Sequence, residues 1–213
     1  MVTSINLYNS FNIKKKHKGS IILIGNFDGL HLGHQKLFTL AKNYKKKYSL
    51  NIGVLTFEPM PKMYFDNKIK NFRISSKQQK IDLLNKNNVD FVILKKFNKN
   101  FSKIKSINFI KNYLVKKMNA KFIFVSNNFR FGNKREGNVK QLITNEKKYY
   151  YRIVKPKPLK KKKKVVSSSL IRNYLQKGKL DNVNKLLKRN WSIIGKVQKG
   201  KQLGKKIGFP TAN

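Results

Sequence analysis

Residues 20–34 read SIILIGNFDGLHLGH. The first six, residues 20–25, are a near-continuous apolar run closed by glycine, the pattern of a strand buried on both faces of a parallel sheet. The next residues turn polar and glycine-bearing. After them Leu37, Leu40, Ala41 and Tyr44 fall on one face of a helix. A buried strand passing through such a turn into a helix is a βα unit. The free N–H groups and the dipole at its helix N-terminus attract phosphate.

The pattern repeats along the chain. Strand candidates lie at 51–57 (NIGVLTF), 90–94 (DFVIL), 121–125 (KFIFV) and 149–154 (YYYRIV). Between them fall helical patterns: Ile81, Leu83 and Leu84 behind a capping box read at Ser75 to Gln78, then Phe109, Ile110, Tyr113 and Leu114. Five strands alternating with helices predict an α/β, doubly wound (Rossmann-like) domain on a parallel five-stranded sheet. In the order 3-2-1-4-5, strands one and four flank the switch point, and ligands bind outside their carboxyl ends.

Beyond residue 154 the pattern changes. Residues 155–164 (KPKPLKKKKK) read as a solvated loop that cannot pack, with a mobile basic flap over a phosphate-rich ligand as the functional alternative. Two helical patterns follow at 168–177 and 180–189, broken at Gly178. From Ser192 the chain is β-like and punctuated by glycine, so a domain boundary is expected near Trp191, dividing 1–190 from 191–213.

Fifty Lys and Arg face eight Asp and Glu, a formal charge of +42. Basic chains bind polyphosphates through counterion release. Only six of the fifty are arginine, the residue suited to bidentate phosphate and base contacts, which favours compositional drift over a specific nucleic-acid partner. Cysteine is absent, which excludes disulfides and cysteine-based metal sites. No run approaches the roughly 20 apolar residues needed to cross a bilayer, and the N-terminus does not read as a signal peptide. A cytoplasmic protein without membrane insertion is expected.

Four segments carry candidate chemistry. His31 and His34, with Gly33 between them, sit where the first strand hands over to its helix. They can donate to phosphate oxygens, and Gly33 lets the backbone approach the ligand. His17 is the remaining histidine, so a zinc site lacks partners. Asn127, Asn128, Phe129, Arg130, Phe131 and Gly132 follow the fourth strand and should face the first loop across the switch point. The alternative for these is a plain surface turn. Ser167, Ser168 and Ser169 begin a helix with Arg172 one turn in, either a simple N-cap or donors to a triphosphate. After the second strand comes TFEPMPKMYF (56–65), a proline-stiffened loop whose aromatics either wall a flat ring system or pack in the core.

Together these pieces resemble the bacterial bifunctional riboflavin kinase/FMN adenylyltransferase (FAD synthetase) family. The resemblance runs through GNFDGLHLGH, TFEPMP, RISSKQQKIDLL, SNNFRFG, VSSSLIR and the terminal GKVQKGKQLGKKIGFPTAN, in that order. It implies an HxGH-type nucleotidyltransferase that makes FAD and pyrophosphate from FMN and ATP with Mg2+. By that resemblance His31 and His34 contact the ATP phosphates, with Arg172 as the third catalytic group. Gly25, Asn26, Phe27, Asp28, Gly33, Asn128, Arg130, Phe131 and Gly132 would bind ATP, and Ser168 and Ser169 would hold its phosphate tail. Pro59, Pro61 and Phe65 would border the flavin. Where the family often carries glycine and an acidic residue this chain has Ser126 and Asn127, so metal ligands stay unassigned; Ser169 replaces the usual threonine. GFPTAN is similar to the riboflavin-kinase signature, whose β-barrel needs more strands than residues 191–213 can supply. The chain is then a fragment of a longer product or one that has lost its kinase. Another small-molecule adenylyl- or cytidylyltransferase and a basic nucleic-acid-binding protein are the alternatives.

Overall fold

The computed structural model describes residues 5–66, 68–69, 73–161, 163–195 and 207–208. Its strands are β1 Asn6–Tyr8, β2 Ile21–Ile24, β3 Ile52–Glu58, β4 Phe91–Lys96, β5 Phe122–Phe124, β6 Arg130–Phe131, β7 Gly137–Asn138, β8 Arg152–Val154, β9 Lys160–Lys161 and β10 Lys164–Val165. Its α-helices are α1 Leu32–Tyr48, α2 Pro61–Phe65, α3 Lys77–Lys86, α4 Lys99–Ser102, α5 Ser106–Asn108, α6 Val139–Thr144, α7 Glu146–Tyr149, α8 Ser168–Gln176 and α9 Leu180–Leu187.

The central sheet is parallel, in the order β1-β4-β3-β2-β5-β8. The five expected strands stand in the expected order, with β2 and β5 paired at the switch point (Leu23 opposite Phe124). The sheet has six strands rather than five. The added β1 pairs with β4 at the edge and is held by tertiary contacts: Tyr8 shares a 2.8 Å hydrogen bond with His17, whose ring stacks on Phe91.

Alternation along the strands explains their unbroken apolar sequence. Ile22, Ile24, Leu55, Ile93 and Ile123 face one core with the π-helical stretch Phe109–Lys117, Leu142 and Tyr151. Ile21, Leu23, Val54, Val92 and Phe124 face the other, against Phe38 and Ala41 of α1 and Leu84 of α3. The inner strands β2, β3 and β4 therefore bury both faces, as a doubly wound sheet requires, while the edge strands β1 and β8 are only partly covered. Gly53 sits opposite Phe91 in the ladder, where a Cβ would come within 2.2 Å of that ring.

A third core docks the helical segment. Ile171 of α8 and Val183, Leu186 and Leu187 of α9 pack with Ile74 and Val166, and Trp191 donates its indole N–H to the Ile74 carbonyl at 2.9 Å. Gly178 takes a positive φ of 64° between the helices.

Two local readings need correction. Residues 155–164 are not a plain loop: β9 and β10 form a short antiparallel ladder, and Leu159 packs against the third core, although Lys160, Lys161, Lys163 and Lys164 remain exposed. The capping box of α3 is Ser76 with Gln79, one residue later than read. Ser75 is buried and already engaged, its Oγ accepting from Gly29 N–H and its own N–H donating to Asp28. Of the β-like segment expected from Ser192, residues 192–195 form no strand and 207–208 form a turn; residues 196–206 and 209–213 lie outside the described residues.

Candidate active site

The loop from Gly25 to His31 leaves the carboxyl end of β2 in an uncommon conformation: Phe27, Gly29 and Leu30 all have positive φ, at 48°, 78° and 38°. For two bulky residues that geometry is costly and persists only where the surroundings enforce it. Here Phe27 and Leu30 are buried in the sheet core. The Asp28 carboxylate, also buried, accepts from Ile74 N–H (3.0 Å), Ser75 N–H (3.2 Å) and Arg172 Nη2 (2.7 Å). Ser168 Oγ donates to the Asp28 carbonyl, and Arg189 Nη2 to the Gly29 carbonyl at 2.8 Å. Gln35 Nε2 bridges the carbonyls of Leu30 and Leu187. The docked α8–α9 segment thus clamps the loop.

His31 is the N-cap of α1, and its Nδ1 accepts from His34 N–H at 3.4 Å, which places the ring proton on Nε2. The two imidazoles stack at 3.7 Å, with Phe27 edge-on to His34 at 5.2 Å. Burial pushes His31 down to about 4, and the Arg172 charge pushes the same way. His34 is held well below its ordinary value, first by burial and then by His31. Its Nδ1 is enclosed and has no hydrogen-bond partner among the described residues. Both rings are therefore neutral near pH 7. An anion placed against them reverses the balance and favours their charged forms.

Beside this polar cluster lies a cavity of about 680 Å³, large enough for a ring system. Gly25 and Asn26 line it, with Pro61, Phe65, Phe97, Phe101, Phe129 and Phe131 as apolar walls and Asn128, Arg130, Lys134 and Arg135 as polar ones. Phe129 and Phe131 stack at 5.4 Å. Gly132 belongs to the same wall, with φ of 76° and no room for a Cβ, which would meet Ser106 N at 2.7 Å.

Of the candidate site residues, His31, His34, Asp28, Ser168 and Arg172 come together at the heads of α1 and α8. Gly25, Asn26, Pro61, Phe65, Asn128, Arg130, Phe131 and Gly132 come together around the cavity. Phe27 does not reach a ligand through its side chain, which is spent on the core. Pro59 follows a cis peptide bond and is not part of the cavity wall, and Ser169 is exposed. Ser167, not Ser168, is the N-cap of α8. Gly33 makes room for its own fold: a Cβ would press on the His31 ring and the Val166 carbonyl at 3.2–3.3 Å. The Asp28 and Arg172 side chains serve each other in a clamp. Among the described residues no group of three or more His, Cys, Asp or Glu could hold a metal ion.

Sequence reading passed over Thr56, Glu58, Arg73 and Lys80. Glu58 and Arg73 form a two-pronged ion pair behind the cavity. Burial would raise the Glu58 carboxyl, yet the hydrogen bonds and charge of Arg73 hold it below its ordinary value. The TFEP string contained the acid; nothing local marked its partner.

The FAD synthetase family model matches residues 13–170, and the riboflavin kinase family model matches residues 187–213. The chain is 39% identical over 95% of its length to a bifunctional riboflavin kinase/FMN adenylyltransferase of Buchnera aphidicola subsp. Schizaphis graminum, and 34% identical over 92% to that of Escherichia coli K12. It spans 65% and 63% of those relatives. A solved structure, the macrolide-efflux protein from Streptococcus pneumoniae, superposes with a TM-score of 0.81 at 27% identity, over 99% of this chain and 68% of that one. No described helix is long and apolar enough to cross a membrane. With that match across some three quarters of its length, the chain belongs to the FAD synthetase family.

Proposed function

We propose that this chain transfers the adenylyl group of ATP to FMN, giving FAD and pyrophosphate, in the cytoplasm. The observation that carries the reading is the meeting of two unlike surfaces at Gly25–Asn26: an aromatic-walled cavity, and a paired-histidine helix head. A flavin suits the first and a triphosphate the second. The FMN phosphate oxygen attacks the α-phosphorus of ATP in line, the bond to the β-phosphate oxygen breaks, and pyrophosphate leaves. No protein nucleophile is required, so the chain contributes position and charge. His31 and His34 face the phosphates, and Pro61 and Phe65 border the flavin. Arg172 stiffens the loop through Asp28 and adds positive potential beside the tail. Mg2+ enters with ATP as part of the substrate, bridging its phosphate oxygens and keeping most of its other ligands as water.

Residues 191–213 are read as the start of a riboflavin kinase module, supported by the family match there. Riboflavin kinase is part of the printed name of the bifunctional relatives, of which this chain spans 65% and 63%. Incubation with MgATP and either FMN or riboflavin, with chromatography of the flavins, tests both statements. FAD is expected from FMN, and no FMN from riboflavin. Failure to convert FMN refutes the proposed reaction, and FMN formed from riboflavin refutes the assignment of the kinase step.

A further inference from the structure

Of the 44 lysines, Lys80 is the one in the buried class among the described residues, at 3% exposure. It lies on the face of α3 that carries Leu84 one turn later, a face turned into the sheet core. Its Nζ lies 3.4 Å from Thr56 Oγ1 on β3, and Thr56 Oγ1 lies 3.3 Å from the Asn26 carbonyl. An ammonium group donates and cannot accept. Thr56 must therefore accept from Lys80, which directs the hydroxyl proton to Asn26. Asn26 is the loop residue at the junction of the cavity and the helix head.

We propose that Lys80 is a positioning residue for the nucleotide-binding loop, acting through the Thr56 hydroxyl on the Asn26 carbonyl; the catalytic consequence rests on the function proposed above. An apolar residue at this position would satisfy the fold without the cost of burying an ammonium group. The charged groups around it are Glu58 on β3, Arg73 ahead of α3, Asp28 in the loop and Lys77 on α3 itself. Glu58 keeps its ion pair with Arg73 when Lys80 is removed, so an isosteric Lys80→Met does not strand a buried carboxylate. The lysine is thus dispensable to packing and specific to the relay.

The test uses Lys80→Met, Lys80→Gln, Thr56→Val and the double variant Thr56→Val/Lys80→Met, with the exposed Lys77→Met as control. Amide hydrogen exchange over residues 25–30 is measured in the nucleotide-free chain, alongside melting temperature and the kcat and KM of FAD formation. Lys80→Met is expected to speed loop exchange about tenfold without lowering the melting temperature. It should reduce kcat/KM roughly ten- to a hundredfold, as misplacement of a reacting group does. Lys80→Gln, which keeps an N–H donor, should recover most of both, and Lys80→Met should add nothing to Thr56→Val. Unchanged loop exchange in Lys80→Met, or additive effects in the double variant, would overturn the proposal. So would a lowered melting temperature with normal kinetics. A wild-type chain that makes no FAD would refute the proposed reaction alone, because the exchange measurement needs no substrate.

Discussion

The burial of His31 makes a quantitative claim about acid stability. In the folded chain its imidazole titrates at about 4, against an ordinary value of 6.5. Between those values the unfolded chain carries a proton at this position that the folded chain does not, so stability rises with pH across the window. At about 1.4 kcal/mol per pH unit, moving from pH 7.5 to pH 5 removes about 2 kcal/mol, and the loss reaches about 3 kcal/mol at pH 4 and slightly more below it. His31→Gln abolishes this contribution, leaves that of His17 in place and relieves part of the depression of His34, which His31 helps to hold down, so the slope difference is at least that of His31 alone. The variant also weakens the α1 cap, but that shifts the whole curve and not its slope. Urea denaturation followed by circular dichroism at pH 7.5, 6.5, 5.5 and 5 measures both slopes. The wild type should lose about 2 kcal/mol more than His31→Gln between the extremes. Equal slopes would show that His31 is not held neutral, and with it would fall the enclosed helix head on which the site is built.

Two further outcomes follow from the same geometry. Triphosphate against His31 and His34 should raise both imidazoles, so MgATP binding takes up protons near pH 6 and tightens as pH falls from 7 toward 5. Calorimetry in buffers of different ionisation enthalpy reads this directly, and zero uptake would separate the histidines from the phosphates. Replacing lysines 160–164 with serine should raise the KM for ATP by less than about tenfold, under roughly 1.4 kcal/mol, most visibly at low salt. A hairpin of exposed lysines adds field but cannot fix geometry, so a collapse of kcat at constant KM would mean that this segment touches the reacting groups.

What the sequence disclosed and what it withheld divide along physical lines. Strands β2, β3, β4 and β5 were legible because burial on both faces leaves an apolar run, β8 from its aromatic and β-branched residues despite the exposed Arg152, and their order followed from alternation with helices. β1 was not: Asn6–Tyr8 is short and half polar, and is a strand only because β4 and the Tyr8–His17–Phe91 packing make it one. The π-helical course of Phe109–Lys117 left no trace in an apolar spacing that fits an ordinary helix. At the site, GNFDGLHLGH and FRFG were visible as glycine-bearing loops at strand ends. The division into a histidine-lined helix head and an aromatic cavity was not, since a cavity is a property of tertiary packing. Asp28 read as a ligand and serves as a clamp, because its partners Ile74, Ser75 and Arg172 come from distant segments. Lys80 was hidden for a simpler reason: it is one of 44 identical letters.

The placement of the charges bears on why there are so many. Of the eight acidic residues, Asp28, Asp66, Asp90, Glu136 and Glu146 each accept a backbone N–H through the side chain. Glu58 holds Arg73, and Asp181 stands in the first turn of α9, where a negative charge favours the helix. The carboxylates that remain are thus tied to positions where geometry requires an acceptor. Three of the six arginines, Arg73, Arg172 and Arg189, donate to Glu58, Asp28 and the Gly29 carbonyl around the loop 25–31, while Arg130, Arg135 and Arg152 are exposed. Lysine behaves otherwise, crowding exposed segments such as β9 and β10, with Lys80 inside. Three arginines thus point inward to the loop, while the described lysines other than Lys80 all keep some exposure to solvent. Lysines confined to exposed and half-exposed positions, with a single buried exception, are what compositional drift leaves wherever structure permits it, since a solvated ammonium costs the fold little.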